Sequence, residues 1–348
     1  MATMPGREDP RLIPVLSGDR VWTGVTTTTS GRMFVSYPST DGPGVQVAEA
    51  LTGGRFAPYP DARWNEVRAE HDPRGRFVHV NALRVGPDGQ LWIVDAGAAG
   101  LGQPQVPGGA RLISVDLDRD QVHRSYDLGP ATYEHSYIDD VRFNGRLAYV
   151  SDSGAAGLIV VDLDSGRSRR VLDNHPATVN QGPLYADGQV LRDAHGAELR
   201  VHCDQIEVSP DGRYLYFQPL SGPMSRVETR YLDNPATSAQ RLGDQVQHWA
   251  DTPTTGGTAI DAAGTIYLSD VENRRLLTIA PDRRMSPFLT DPRLVWCDAL
   301  WIDSRRHLWM PAAQLNRTAG LTGAAAVEYP VHIYKAPIDV GPAPNDHA

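Results

Sequence analysis

An all-β, six-bladed β-propeller with about four antiparallel strands per blade is the fold that this sequence predicts. Three observations carry the prediction. One hairpin phrase returns six times along the chain, further strand-like runs follow most copies, and no segment shows sustained helical periodicity. The phrase is a short apolar run, an Asp-Gly-type turn, a second apolar run and a polar cap. Its clearest copy runs from Val80 to Asp95, and the next clearest from Cys203 to Gln218.

Aligned on the turn, the first copy spans residues 21–37 and turns at Ser30-Gly31. The second spans 79–97 and turns at Asp88-Gly89. The third spans 137–154, with a shorter lead, and turns at Asn144-Gly145. The fourth (202–220) turns at Asp211-Gly212, the fifth (254–271) at Ala263-Gly264, and the sixth (296–311) around Ser304-Arg305-Arg306. Asn-Gly and Asp-Gly between apolar, β-branched runs are hairpin signals, because both turn residues must tolerate positive φ. Additional strands are expected at 110–117, 122–127, 157–162, 169–172, 276–280 and 331–336. A strand at 11–16 is expected to complete the last blade, since a closed ring leaves no long open edge. The expected organisation is one propeller domain over residues 11–338, with flexible tails at 1–10 and 339–348.

The bulk numbers agree with many short strands. The 348 residues include 33 glycines and 27 prolines, as many turns require. A net charge of −9, with no basic stripe interleaved by aromatics, argues against nucleic acid as a partner. No stretch approaches the ~18 apolar residues of a membrane span, and residues 1–10 carry no apolar leader. A cytoplasmic protein without a membrane partner is therefore expected. Two cysteines, Cys203 and Cys297, cannot staple a chain of this length and are expected as buried free thiols. Gly-x-Ser-x-Gly, a Gly-rich loop before a helix, and zinc-type Cys/His spacing are absent from the sequence. No nucleotide, flavin or haem is expected.

Several phrases resemble the major royal jelly protein/Yellow family: Val80-Asn81-Ala82-Leu83-Arg84-Val85, Leu91-Trp92-Ile93-Val94-Asp95-Ala96-Gly97, Tyr149-Val150-Ser151-Asp152-Ser153-Gly154, Leu215-Tyr216-Phe217-Gln218-Pro219-Leu220-Ser221-Gly222 and Tyr267-Leu268-Ser269-Asp270-Val271-Glu272-Asn273. Asp291-Pro292-Arg293-Leu294-Val295-Trp296-Cys297-Asp298 is similar to that family's Trp-Pro-Asp stretch, with Cys297 in place of the proline. The resemblance spans roughly residues 21–316 and implies six blades. It implies function only loosely, because the family includes pigment-pathway isomerases, amine-binding proteins and nutritional proteins. More distantly the architecture is similar to gluconolactonase/regucalcin and strictosidine synthase propellers, which implicate the axial mouth, with or without a divalent metal.

Counting back seven residues from each turn places Asn81, Asp204 and Asp298 at one position of the innermost strand. Allowing for the short lead adds Asp139, with Asp140 beside it; Thr23 and Gly256 hold the position in copies one and five. Inner strands start near the axis, so these groups are expected to converge at the channel mouth. Crowded carboxylates repel one another, and either some retain protons or a cation sits among them. Ca²⁺ or another divalent cation held by Asn81, Asp139, Asp204 and Asp298 is one expectation. The alternatives are metal-free acid-base use and simple capping of each strand start. The related lactonase propellers add a first-blade Glu, and Thr23 departs from that pattern.

Two residues upstream, on the same strand face, lie His79, Tyr137, His202 and Trp296. Imidazoles can move protons near neutral pH, and aromatic walls suit a small-molecule pocket. The expected catalytic set is His79, His202, Tyr137 and Asp204; for either histidine, an interblade hydrogen-bonding role is the alternative. Trp296, Asp95, Asp152 and Gln218 are the expected substrate-binding groups, although Asp95 and Asp152 also read as turn-forming side chains. Loops at 97–109 and 312–329 are expected over the mouth. The functional expectation is an enzyme performing non-redox isomerisation/cyclisation or lactone/ester hydrolysis on a small organic substrate. The alternatives are a binding protein for an amine or aromatic metabolite and a scaffold for protein partners.

Overall fold

The structure is a computed structural model that describes residues 7–66 and 73–345. Six four-stranded antiparallel sheets form the blades. The strand nearest the axis is Gly24–Thr27 in blade one, Val80–Val85 in blade two and Ile138–Asn144 in blade three. Blades four, five and six follow with Cys203–Val208, Thr255–Ile260 and Trp301–Ile302. Consecutive inner strands touch around the ring, and blade one meets blade six through His307–Ala312. Blade six is shared by both ends of the chain. Its outermost strand is Ile13–Gly18, paired antiparallel with Val331–Pro337. The last blade is therefore completed by the N-terminal strand, two residues further along the chain than the sequence placed it.

The six turns obey one backbone rule. Gly31, Gly89, Gly145, Gly212 and Gly264 all adopt positive φ, and Arg306 takes the same conformation in blade six at φ 62°. That position is what made the phrase recognisable in sequence. Each sheet is packed by neighbours on both faces, so strands such as Leu91–Asp95 are buried along their whole length rather than at alternate residues. Between blades two and three, Trp92, Val94 and Leu112 pack with Val141, Phe143 and Ile159. Deeper along the inner strands, the Arg142 guanidinium donates to both Glu207 oxygens and to Asp140 Oδ2, while the Thr258 hydroxyl donates to Glu207. Blades three, four and five are tied by this charge network, buried except at the partly exposed Asp140. Burying such charges is tolerable only because each is paired and hydrogen-bonded.

Some elements depart from the sequence expectation. A small hairpin, Tyr185–Ala186 with Gln189–Val190, stands between blades three and four. Two short helices, Thr229–Asp233 and Ala239–Gly243, connect the outer strands of blade four. The terminal segments are not free tails where they are described. The Asp9 amide donates to Asp291, the Ala262 amide donates to the Gly341 carbonyl, and Ala343 is fully buried. Residues 1–6 and 346–348 lie outside the described residues. Cys203 and Cys297 are buried and free, as expected. Among the described residues, no helix is long and apolar enough to cross a membrane.

Candidate functional site

The inner strands start with a shared irregularity. In blades two to five the pairing of first and second strands slips by one residue, between Val80 and Ala82, Ile138 and Val141, Cys203 and Ile206, and Thr255 and Thr258. In blade six the Cys297–Ala312 bridge and the Trp301–Trp309 pair leave one extra residue on the inner strand. An extra residue leaves the ladder and re-aims its side chain, which is what a β-bulge does beside a site. The bulged positions carry Asn81, Asp139, Asp204, Gly256 and Asp298. With Thr23 they line a single funnel of about 750 Å³, open solvent at its mouth included. Gly256 is required by packing: a Cβ there would approach the Cys297 carbonyl oxygen to 2.3 Å.

The floor of the funnel is one hydrogen-bonded chain. The Tyr137 hydroxyl donates to Asn81 Oδ1 (3.1 Å), and Asn81 Nδ2 donates to Asp139 Oδ1 (2.9 Å). The Ser153 hydroxyl donates to Asp139 Oδ2 at 2.5 Å. Asp204 and Asp298 complete the floor beside Asp139. Asp298 Oδ1 accepts the Ala299 amide. The Thr23 hydroxyl donates to the Asn81 carbonyl instead of facing the carboxyls. Burial is the main cause raising all three carboxyl pKa values, and neighbouring carboxylates, Asp140 among them, add to it. Asp139 rises to about 7, while Asp204 and Asp298 rise well above the usual carboxylate range. The Ser153 hydroxyl favours the anion at Asp139.

The walls stand two residues upstream. His79, Tyr137 and Trp296 line the funnel, and the His79 and Tyr137 rings meet edge to face with centroids 5.6 Å apart. Trp296 holds a left-handed backbone, φ 49°, which a bulky residue adopts only at a cost. His79 is buried, and its Nε2 has no hydrogen-bond partner among the described residues. Burial lowers the imidazole pKa below its ordinary value, against a smaller opposing pull from Asp95, so the ring is neutral at neutral pH.

Four expected site residues fall elsewhere. Asp95 is fully buried, ion-pairs with Arg111 (2.5 Å) and accepts the amides of Val78 and His79. Asp152 ion-pairs with Arg170 (2.8 Å) and accepts the amides of Tyr137 and Ala155. The same device recurs in blade five as Asp270–Arg275. These carboxylates fix the strand starts that carry His79 and Tyr137; they do not face the funnel. Gln218 is buried and accepts the Thr252 hydroxyl. His202 does not line the funnel, and its Nδ1 accepts the Asn180 amide. The substrate-binding expectation for Asp95, Asp152 and Gln218, and the catalytic one for His202, are corrected accordingly.

The cation expectation also meets a mismatch. Among the described residues, no three His, Cys, Asp or Glu side chains are grouped as metal ligands. Both Asp139 oxygens, Asp298 Oδ1 and Asn81 Oδ1 already accept hydrogen bonds, and Thr23 and Gly256 offer the floor no donor oxygen. Asn81, Asp139, Asp204 and Asp298 therefore do not fit a ready-made Ca²⁺ cage, which needs six to eight oxygens. Sequence reasoning missed Ser153, hidden in a turn-like Asp-Ser-Gly, and the 180–201 insertion that brings Val201 to the wall. The loops at 97–109 and 312–329 do reach the funnel, through Ala99, Gly100 and Leu101 and through Leu315, Gly320 and Leu321.

A family model described as major royal jelly protein matches residues 78–340. No curated protein gives a significant sequence match. Solved structures similar in fold include a luciferin-regenerating enzyme (TM-score 0.60, 8% identity, 97% of this chain and 98% of that one). A gluconolactonase from Xanthomonas campestris gives a TM-score of 0.57 at 13% identity, covering 94% of this chain and 89% of that one. A virginiamycin B lyase from Staphylococcus aureus gives 0.53 at 11% identity, covering 90% and 80%. Identities this low speak to fold alone.

Proposed function

The chain belongs to the major royal jelly protein family, and on that premise we propose that it is an enzyme working by non-redox acid-base chemistry at the axial funnel. The observation that carries this reading is a buried His79, its Nε2 without a hydrogen-bond partner among the described residues, set in the lining of the same funnel as three carboxyls whose pKa values burial raises. A base and an acid whose environments push them apart in this way are the pairing that proton transfer requires. His79 Nε2 takes a proton from the substrate, either from a carbon beside a carbonyl or from an attacking water. The Asp204 carboxylic acid donates to the carbonyl oxygen on which charge develops. Asp139 is held by Asn81 and Ser153 in the same floor as that acid. Tyr137 and Trp296 flank the substrate. The reaction class is isomerisation/cyclisation or lactone/ester hydrolysis. The gluconolactonase and lyase named above show that propellers of this shape can house non-redox chemistry of this kind.

A panel of lactones, aryl esters and enolisable ketones tests the reading. Turnover with deuterium entering a carbon in D₂O marks isomerisation, and ¹⁸O entering the product from labelled water marks hydrolysis. A second reading rests on the three carboxyls beside two aromatic walls: an organic cation held among them, displacing their protons, would be bound unchanged. Ligands that raise the melting temperature and release protons on binding, yet are recovered intact across the panel, would favour that reading over catalysis.

A further inference from the structure

We propose that the funnel takes an elongated, uncharged amphipathic molecule, with its polar head on the floor and an alkyl or aryl stretch gripped between Leu101 and Leu321. This rests on the funnel being the ligand site, but not on the chemistry assigned to it. Above the floor Leu101, Val201, Leu220, Leu315 and Leu321 arrive from four separate connections, beside the shorter side chains of Ser39 and Thr40. Among the described lining residues the carboxyls and imidazole are those of the three aspartates and His79, with Tyr137 beside them. A ligand reaching the floor must therefore pass a largely apolar collar, and no lysine or arginine of the described lining awaits an anionic head.

The collar is also a neck. A second groove, of about 870 Å³ including open solvent, shares Leu101, Gly320 and Leu321 with the funnel and continues past Gln103, Asp193, His195 and Arg200. A chain leaving the funnel between Leu101 and Leu321 has a path toward water, so the ligand need not be enclosed. The neck is preformed. The Gly320 amide donates to the Thr40 carbonyl (2.8 Å), and a Cβ at Gly320 would approach Thr40 Cα to 2.8 Å, which fixes the loop that presents Leu321. Leu101 rests on the Ala96, Ala98 and Tyr137 cluster. Two half-buried leucines, fixed from opposite sides beside a polar floor, favour an apolar segment over a second polar one.

The test uses N-alkylacetamides from butyl to decyl as neutral probes that carry a carbonyl head and resist turnover. Binding is measured by calorimetry on the full chain, on Leu101→Asp, on Leu321→Asp and on His79→Gln. The affinity of the unaltered protein is expected to rise about fourfold per added methylene, the equivalent of ~0.8 kcal/mol, over the first several carbons. Either Asp variant should flatten that dependence while leaving the butyl probe within ~3-fold and the melting temperature within a few degrees. His79→Gln should keep the full chain-length dependence, whatever becomes of turnover. Chain-length-independent binding by the unaltered protein, or an unchanged dependence in both folded Asp variants, overturns the proposal. A retained dependence without turnover of any substrate overturns the catalytic reading instead.

Discussion

Replacing His79 with glutamine is expected to lower kcat/KM by ~10²–10⁴-fold on any substrate that the protein turns over, the usual worth of a positioned general base. Glutamine approximates the size of the ring but offers no basic lone pair at the Nε2 position. The fold should survive. Asp95 anchors this segment through the His79 backbone amide and through Arg111, not through the imidazole. Thermal melting checks that point alongside the kinetics. His202→Gln supplies the contrast. That ring sits outside the funnel and accepts the Asn180 amide, so its loss should cost less than ~10-fold. Equal activity in His79→Gln and the unaltered protein would remove the imidazole from the mechanism.

The second large effect lies in stability against pH. Burial raises the Asp139 pKa to about 7, whereas the unfolded chain titrates near 3.8. Between those values the folded state binds more protons than the unfolded state, so stability falls as pH rises through the window and levels off above it. Asp139→Asn removes this titration. Relative to the unaltered protein it should become progressively more stable from about pH 4 to about pH 7. The gain approaches about 4 kcal/mol at most, the full worth of a three-unit shift, and is reduced by the water reaching this half-buried carboxyl. Asp204→Asn should show the same sign, because burial raises its pKa as well. Denaturant midpoints from pH 4 to 8 read both. Activity should move oppositely: Asp204→Asn loses the acid and falls by ~10²-fold or more.

These two effects draw on different parts of what the sequence could show. The turn phrase located the ring because propeller blades repeat one register, and seven residues before each turn is a fixed distance along a strand. Whether those side chains reach the axis was not legible. Asn81, Asp139, Asp204 and Asp298 reach it because an extra residue bulges each inner strand, and a bulge leaves no compositional mark beyond the Asn, Asp or Gly that tolerates it. The pairing of Asp95 with Arg111 and of Asp152 with Arg170 was hidden because each arginine lies on a later strand of its blade, the next one for Arg111 and the one after that for Arg170. His79 and His202 share a register, yet only His79 faces the funnel. The 180–201 insertion ahead of blade four ties up His202 through Asn180, and nothing periodic announces that segment. The collar was half legible: the two long loops were visible as loops, but the leucines that line the funnel are indistinguishable in sequence from ordinary packing residues.

Stability bears on the site as well. Three carboxyls gathered at one mouth are tolerated only because the ring around them is rigid. Paired charges between blades, such as Arg142 with Glu207, and the shared blade six hold their backbones where repulsion would otherwise spread them. The cost of crowding is expressed as raised pKa values, and those values keep an acid available beside a neutral base.

The most direct measurement is the ¹⁵N NMR spectrum of histidine-labelled protein, with the His79 signals assigned by their loss in His79→Gln. The account predicts a neutral ring at pH 7 with an unprotonated Nε2, the base that the mechanism needs, that gains its second proton only below pH 6.5. An imidazolium at pH 7, or a neutral ring with its proton on Nε2, would contradict it.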